Sequence, residues 1–470
     1  MFTRILFLFL FATLSLPGFG QLPAFTHHTE REKQADTTSL QHFFSSGTLY
    51  GHSRYYFMLT DNIAPLTDFF SNSFGMGIGY ETAPFKGFQM GISGFFIYNL
   101  HSSDFTKPDP VTGMGSRYEI GQFDLLNPTN KRDMDRLEDL YIKYSYKNLG
   151  LKLGKQHIRQ AFINPQDGRM RPTLAEGLLF EYSGIKNFQA EGGYLFGISP
   201  RSTVGWFDIG ESIGIFPQGV NTDGTKADYK NNLHSDAVYY LNLTFKKEKK
   251  FQVSLLNQTI DRLQHSAMLQ VNSEIELKPE LNGVFGGQYI EQFSLASGNN
   301  ALPGKAWVEQ GERARTFGFR LGVKNKSNWQ VLANYNRITA LGRYLMPREW
   351  GRDPFFTFMS RERNEGFADV HAINASLLKS LKKSGLKAEL SYGHYYLPDV
   401  QDYQKNKNGM PSYRQLNLDI RYPFQQFLKG LELQGLLVYK GNLGETYGNN
   451  KYVINKVDMV LYNFIVNYHF

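Results

Sequence analysis

Hydrophobic and polar side chains alternate along much of this chain with a period of two residues. The last eleven residues are the clearest case, because one side of an extended strand there carries only apolar side chains: Val460, Tyr462, Phe464, Val466, Tyr468 and Phe470. An amphipathic strand that ends the chain on an aromatic residue is typical of a transmembrane β-barrel. The alternative is an edge strand of a soluble sandwich.

Segments with this alternation recur from residue 48 to the end of the chain. We predict eighteen strands, at 48–59, 72–83, 87–99, 137–146, 149–158, 177–185, 188–199, 234–246, 250–260, 265–277, 283–294, 313–324, 328–340, 367–379, 386–397, 413–423, 430–441 and 456–470. The predicted fold class is therefore all-β, a transmembrane antiparallel β-barrel of about 18 strands. An even number of strands places the N- and C-termini of the barrel on the same, periplasmic side of the membrane.

The connections between these strands alternate between short and long. Short ones, such as 84–87, 147–149 and 184–187, contain the Pro, Gly, Asn and Lys residues that tight hairpins use. Connections of the other parity are long, except 261–264: 60–71, 100–136, 159–176, 200–233, 295–312, 341–366, 398–412 and 442–455. Short periplasmic turns and long outer loops are the plan of an outer-membrane barrel, whereas a soluble sandwich has no reason to sort its loops in this way.

The two faces of the predicted strands also differ as a barrel wall requires. In the strand 413–423, one face is apolar and the other is polar or charged: Leu416, Leu418, Ile420 and Tyr422 against Gln415, Asn417, Asp419 and Arg421. Charged side chains require water, so we expect the second face to line a wet lumen. The same parity predicts a ladder of basic residues in the lumen: Arg54, Lys152, Arg320 and Arg421. A barrel of about 18 strands is wide enough for an aqueous channel.

Composition narrows the class further. Aromatic residues make up 15% of the chain although hydrophobic residues make up only 41%, and aromatic girdles at the two bilayer interfaces would use this surplus. The chain has no cysteine, which excludes disulfides and thiolate chemistry. The net charge of +8 is spread along the chain without a dense basic block, so we expect no nucleic-acid partner. We expect no cofactor and no metal site.

The chain divides into a leader and one domain. Residues 1–20 are predicted to be a secretory signal peptide, with Arg4 before an apolar run and small residues at its end. Residues 21–46 are predicted to be a mobile periplasmic lead, and residues 47–470 the transmembrane barrel. The predicted location is the bacterial outer membrane, after export through the inner membrane.

Several short stretches of the sequence resemble one family. They are SRYYF at 53–57, LGKQ at 153–156, DGRMRPT at 167–173 and RER at 361–363. Together they resemble the OprD family of substrate-selective outer-membrane porins, over most of the chain that follows the leader. The chain departs from the family in its outer loops, notably at 348–356.

The resemblance implies a monomeric 18-stranded barrel whose third loop folds inward, with arginines that lead solutes past an acidic patch. In this chain the third long loop is 159–176, and it supplies the candidate constriction residues: Arg159, Asp167, Arg169, Arg171 and Glu176. Opposite charges across a narrow pore favour a small zwitterion or carboxylate, which arginine binds in two places. The alternative is that these charges pair with one another and only brace the loop.

A second long loop, 341–366, carries charges that could form a lid over the channel: Arg348, Arg352, Asp353, Arg361 and Arg363. A solvated outer loop is the alternative for these residues. We expect a passive diffusion channel, not an enzyme, for small carboxylate-bearing nutrients such as amino acids and short peptides. The rivals are a less selective or sugar-type porin, a surface adhesin anchored by its barrel, and a barrel lipase with a Ser-His-acid site assembled across strands.

The predicted partners follow from this location. They are small-molecule solutes, outer-membrane lipid and lipopolysaccharide. The C-terminal strand ending at Phe470 resembles the assembly signal of bacterial outer-membrane proteins, so the barrel assembly machinery is a further predicted partner.

Overall fold

The structure, a computed structural model, describes residues 39–165, 169–248, 250–295 and 297–470. The predicted signal peptide and residues 21–38 of the predicted lead lie outside the described residues. The described end of the lead forms one short helix, α1 (Leu40–Ser45), which is capped by the hydroxyl of Ser39. None of the helices in the described ranges has the length and hydropathy of a membrane-crossing helix.

Eighteen β-strands follow the helix. They are β1 (Thr48–Asn62), β2 (Phe69–Glu81), β3 (Phe88–Ser102), β4 (Met134–Tyr146), β5 (Leu149–His157), β6 (Leu174–Ile185), β7 (Phe188–Ser199), β8 (Val238–Lys247), β9 (Phe251–Ile260), β10 (Gln264–Lys278), β11 (Leu281–Ser294), β12 (Arg313–Asn325), β13 (Trp329–Ile338), β14 (Val370–Ser380), β15 (Lys387–Tyr396), β16 (Tyr413–Pro423), β17 (Leu431–Asn442) and β18 (Met459–His469). Every strand predicted from the sequence is present, and the largest error at a strand end is four residues, at the start of β8.

The strands form one closed antiparallel sheet. Each strand pairs with its neighbours in sequence, and β1 pairs with β18 from His52 opposite His469 to Asn62 opposite Met459. The backbone of Phe470 completes the closure, because its N–H donates to the oxygen of Gly51 and its own oxygen accepts from the Gly51 N–H. The sheet therefore has no free edge, which removes the alternative of an open sandwich.

The faces of the wall follow the predicted parity. In β16, Leu416, Leu418, Ile420 and Tyr422 are exposed on the outer surface, whereas Gln415 and Asn417 are buried on the inner one. The inner pair Arg421 and Asp419 forms an ion pair of 2.8 Å. A closed wall with a continuous apolar exterior and a polar interior is a membrane-spanning barrel of the outer-membrane type.

Apolar clusters form on the inner wall where loops fold back into the barrel. One such region lies on β1, β17 and β18, where inward side chains that include Met58, Val438 and Leu461 join a cluster with Tyr118 and Met170 from two loops. The loop between β5 and β6, residues 158–173, is the third outer loop, and its side chains Phe162 and Ile163 are buried inside. The predicted inward fold of the third loop is therefore confirmed.

Candidate solute pathway through the barrel

The connection between β13 and β14, residues 339–369, also lies inside the barrel, and we call it the inserted segment. Its backbone carbonyls accept hydrogen bonds from side chains of the wall. Pro354 O accepts from Gln288 of β11 at 2.9 Å, and Thr357 O accepts from Asn374 of β14 at 2.7 Å. These bonds attach the first part of the segment to the wall.

The inserted segment continues along the wall toward the barrel seam. Ser360 O accepts from Gln415 of β16 at 2.8 Å, and Arg361 O accepts from Lys440 of β17 at 2.6 Å. The Arg361 guanidinium donates to Asn463 of β18 at 3.0 Å and to the hydroxyl of Tyr56 of β1. Residues 354–361 thus form an arc that contacts strands from β11 around to β1, and this arc narrows the lumen.

Other loops hold the part of the inserted segment that precedes the arc. The carboxylate of Glu349 accepts from the backbone N–H groups of Gly214 and Phe216, both at 2.9 Å, in the loop between β7 and β8. Thr173 of the third loop donates to Glu349 O at 2.6 Å, and Asn164 N donates to Trp350 O at 2.9 Å. The third loop and the inserted segment are therefore one hydrogen-bonded layer inside the barrel.

The candidate constriction residues of the third loop are placed differently from one another. Arg159 is exposed, and Asp167 lies outside the described residues. Arg169 and Arg171 are buried: the Arg169 oxygen accepts from Arg54 at 2.5 Å, and the Arg171 guanidinium donates to the Met134 oxygen of β4.

The fifth candidate, Glu176, lies within β6 rather than in the loop, because β6 begins three residues earlier than the sequence pattern predicted. It forms an ion pair with Lys155 of β5. The bond of Arg171 to the β4 backbone braces the third loop against the wall, as the alternative interpretation described, whereas the ion pair of Glu176 joins two strands of the wall. A role of the five residues in selectivity stays a prediction.

Three members of the predicted basic ladder lie near one another on the inner wall. Arg320 interacts electrostatically with Glu389, and Arg421 interacts with Glu389 and Glu432. Arg54 in turn interacts with Glu432 and Arg421. The fourth member, Lys152, lies apart from them, with its ammonium 3.6 Å from the ring centroid of Tyr141. The ladder is therefore a band in which arginines and carboxylates alternate.

A cavity lies between this band and the arc. Its charged lining residues are Arg320, Glu389 and Asp419, and the arc contributes Phe356 and Ser360. Its lining also includes three neutral polar residues, Asn334, Asn374 and Asn417. The Arg320 guanidinium lies over the ring of Phe356 at 4.5 Å from its centroid and donates to Asn334 at 2.7 Å, so this positive group is held between the wall and the inserted segment.

The candidate lid residues all lie in the inserted segment. Arg361 donates hydrogen bonds to residues of β1 and β18, as described above. Arg363 donates to the oxygens of Arg348 at 3.2 Å and Gly351 at 3.0 Å, and Arg352 lies over the ring of Phe358 at 4.4 Å. The structure places these residues within the lumen that the wall encloses, and not above the barrel mouth. Their role as a lid stays a prediction.

Buried carboxyl groups accumulate in the same segment. The side chain of Asp353 accepts from Asn364 N at 2.7 Å, and Glu365 lies 3.5 Å from Arg348 and 3.9 Å from Lys407. Burial raises the pKa of Asp353, of Glu365 and, most strongly, of Glu362 above the ordinary carboxyl range, and the neighbouring cations oppose that shift only in part. Docking of the segment therefore shifts the pKa of each of these carboxyls upward.

One cluster in the wall contains the residue types of a hydrolase. The Ser93 hydroxyl donates to Asp139 at 2.7 Å, and His157 Nε2 lies 3.7 Å from the same carboxylate oxygen. The acid thus lies between the serine and the histidine, whereas a catalytic triad requires the histidine between the other two. This cluster therefore lacks the order of a catalytic triad.

Sequence reasoning placed Gln415 on the lumen face, but it did not identify the inward amides Gln288, Asn374 and Gln415 as anchors of the arc. Their inward parity was readable from the sequence, but their acceptors are backbone carbonyls of a distant loop, which no side-chain pattern marks. Within the ranges that the structure describes, no group of histidine and carboxylate residues has the arrangement of a metal site.

Several solved structures share the fold of this chain over most of its length. The structure of Pseudomonas aeruginosa OpdK with vanillate matches with a TM-score of 0.69 at 11% identity, over 91% of this chain and 99% of that one. Acinetobacter baumannii OccAB4 matches with a TM-score of 0.68 at 17% identity, over 93% and 99%. Acinetobacter baumannii OccAB3 matches with a TM-score of 0.69 at 16% identity, over 91% and 100%.

These matches rest on structure. Neither a family model nor a curated protein matches the sequence. The chain has the complete 18-stranded barrel fold of these outer-membrane porins, and the fold expected from the resemblance to the OprD family is confirmed.

Proposed function

We propose that this protein is an OprD-type porin, a passive diffusion channel of the outer membrane. The observation that carries the proposal is the cavity between the inner wall and the arc, in which Arg320 faces Glu389 and Asp419. Opposite charges on a polar, partly dehydrated path produce a transverse field that orients a small charged solute. Solutes run down their gradient, so the wall supplies only binding groups.

The solute class we propose is small molecules that bear a carboxylate. Arg320 and Arg421 present planar guanidinium groups, which hold a carboxylate in two places and stay charged at any working pH. The OpdK structure that this fold matches was solved with vanillate, and that name denotes a carboxylate. This parallel supports the proposal for the present chain.

Planar-bilayer recording of the purified protein tests the proposal. We expect ohmic single-channel steps that benzoate and small amino acids block and that neutral sugars leave unchanged. Arg320→Gln and Arg421→Gln should each weaken block by benzoate about tenfold, since each removes a charge-assisted contact. Arg414→Gln is the matched control, because Arg414 lies on the same strand as Arg421 but is exposed on the outer face.

The outcomes separate the rival functions. Block by sugars with no effect of either arginine variant would favour a sugar-type or less selective porin. The layer formed by the third loop and the inserted segment is also what a barrel-anchored adhesin with a filled lumen predicts, so absence of conductance in folded protein would favour the adhesin. Arg171 is less suitable for this test, because its guanidinium bonds a backbone oxygen of β4.

A further inference from the structure

A group of charged side chains lies on the outer surface of the barrel, away from the solute pathway. Arg313 and Arg315 of β12 both donate to the same oxygen of Glu291 on β11, each at 3.0 Å. Their side chains are 52% and 42% exposed, so both guanidinium groups keep donors that face outward. Two cations on one carboxylate leave a net charge of +1 on Arg313, Arg315 and Glu291, which we call the triad.

The triad lies at the extracellular end of the lipid-facing surface. Arg313 begins β12 directly after the outer loop 295–312, and the next outward residues of that strand are the exposed Phe317, Phe319 and Leu321. Arginine on a lipid-facing strand is costly at the bilayer midplane but costs little at the interface. The triad therefore lies at the level of the outer-leaflet headgroups.

An apolar groove opens below the triad on the same surface. Its floor is Gly287 of β11, where an added Cβ would have no atom within 4 Å. Gly287 pairs with Val271 and Phe319, Phe319 with Tyr335, and Tyr335 with Ile373, so the groove crosses β10 to β14. Its volume is about 500 Å³. Phe319 lies four residues below Arg315, which corresponds to about 13 Å along the strand.

We propose that this surface binds a lipid of the outer leaflet whose headgroup carries phosphate. The phosphate is held by the outward donors of Arg313 and Arg315, since the arginine fork matches phosphate oxygens as it does carboxylates. One acyl chain lies in the groove over Gly287 and buries apolar surface there. A charged rim directly above an apolar groove matches the two halves of such a lipid, whereas a soluble anion would not use the groove.

Native mass spectrometry of the folded full chain in detergent, titrated with diphosphoryl lipid A, tests this proposal. We expect one lipid to remain bound to each barrel. The double variant Arg313→Gln/Arg315→Gln and the single variant Gly287→Leu should each weaken binding at least about tenfold, the first through the phosphate and the second by filling the groove. Arg313→Lys/Arg315→Lys keeps the charge and should give an intermediate affinity.

Two matched controls make the result specific. Gly435→Leu adds the same side chain at another outward glycine, on β17, whose Cβ position is equally open. Lys379→Gln removes a cation from the opposite end of β14, where Lys379 lies over the ring of Trp329. Both controls should bind as the unmodified protein does, and all variants should show the heat-dependent gel mobility of a folded barrel.

Four results would overturn the proposal. They are unchanged lipid binding in both test variants, equal losses in the controls, equal binding of a diacylglycerol that lacks phosphate, and displacement of the lipid by millimolar inorganic phosphate. A mass corresponding to two barrels without lipid would instead assign this surface to a second copy of the chain. No result depends on conductance, so the inference stands or fails apart from the proposed channel.

Discussion

At the scale of the residue, the arginines inside this barrel divide by what their guanidinium groups contact. Arg171 and Arg363 donate to backbone oxygens and hold loops in place. Arg320 and Arg421 donate to side chains of the wall instead, Arg320 to Asn334 at 2.7 Å and Arg421 to Asp419 at 2.8 Å. The first kind contributes to structure and the second can exchange a protein partner for a solute, so charge alone does not identify a selectivity residue.

Gly351 is the residue whose backbone best tests the docking of the inserted segment. Its φ is +143°, and an added Cβ would come within 2.7 Å of the backbone oxygen of Asn164 in the third loop. Gly351→Ala should therefore weaken the contact between the two loops by about 1–3 kcal/mol, because it adds strain and a clash. We expect larger and noisier single-channel currents in bilayer recordings.

The control for this change is Gly115→Ala. Gly115 lies in the loop between β3 and β4, and an added Cβ there would have no atom within 4 Å. Its currents should match those of the unmodified protein. Quiet, unchanged currents from Gly351→Ala in a correctly folded barrel would show that the contact between the two loops does not limit the pore.

At the scale of the element, we expect the inserted segment to couple the pore to pH. The raised pKa values of Asp353, Glu362 and Glu365 mean that the docked segment binds more protons than the undocked one. This contribution to docking is fully present below the ordinary carboxyl pKa of about 4 and is lost as pH rises through the raised values of the docked state. Conductance should therefore increase from acidic to alkaline pH.

Single-channel recording between about pH 4 and pH 9 measures this dependence. Glu362→Gln removes the group with the strongest shift and should reduce the pH dependence while keeping the small conductance of the acidic state. Glu280→Gln is a control at an exposed periplasmic turn, where Glu280 pairs with Lys326. A pH profile that is identical in Glu362→Gln would contradict the assignment of Glu362 as the main titrating group.

The elements of the wall could be predicted from the sequence, and the arrangement of the loops could not. Alternation depends only on which face of the strand each residue occupies, which is a local property. It predicted both ends of β16 correctly. The errors lie at strand ends such as the start of β8, where the last strand pairs depend on loop contacts. The arc could not be predicted, because bonds such as that of Gln288 to Pro354 O join groups that are 66 positions apart and involve backbone acceptors.

At the scale of the whole molecule, the wall closes only when the first and last strands, β1 and β18, meet. The partners β1 and β18 are about 400 residues apart in sequence, so their pairing carries the largest loop-closure entropy of the sheet. The other neighbouring strands are connected by hairpins or single loops and can pair locally. Closure is therefore the step at which an assembly factor would have the greatest effect.

Phe470 is the residue that tests this view of closure. Phe470 is 51% exposed on the outer surface, where its ring lies over Gly51, whereas its backbone bonds to Gly51 do not require an aromatic side chain. Phe470→Ala should therefore lower the amount of folded barrel in outer membranes several-fold, yet leave the thermal stability of protein refolded in detergent nearly unchanged. Phe88→Ala removes an aromatic ring that is 48% exposed at the start of β3 and should reduce neither quantity as much. An equal loss of stability in the refolded Phe470 variant would instead make the ring a structural part of the seam, since a recognition signal acts on the pathway and not on the closed barrel.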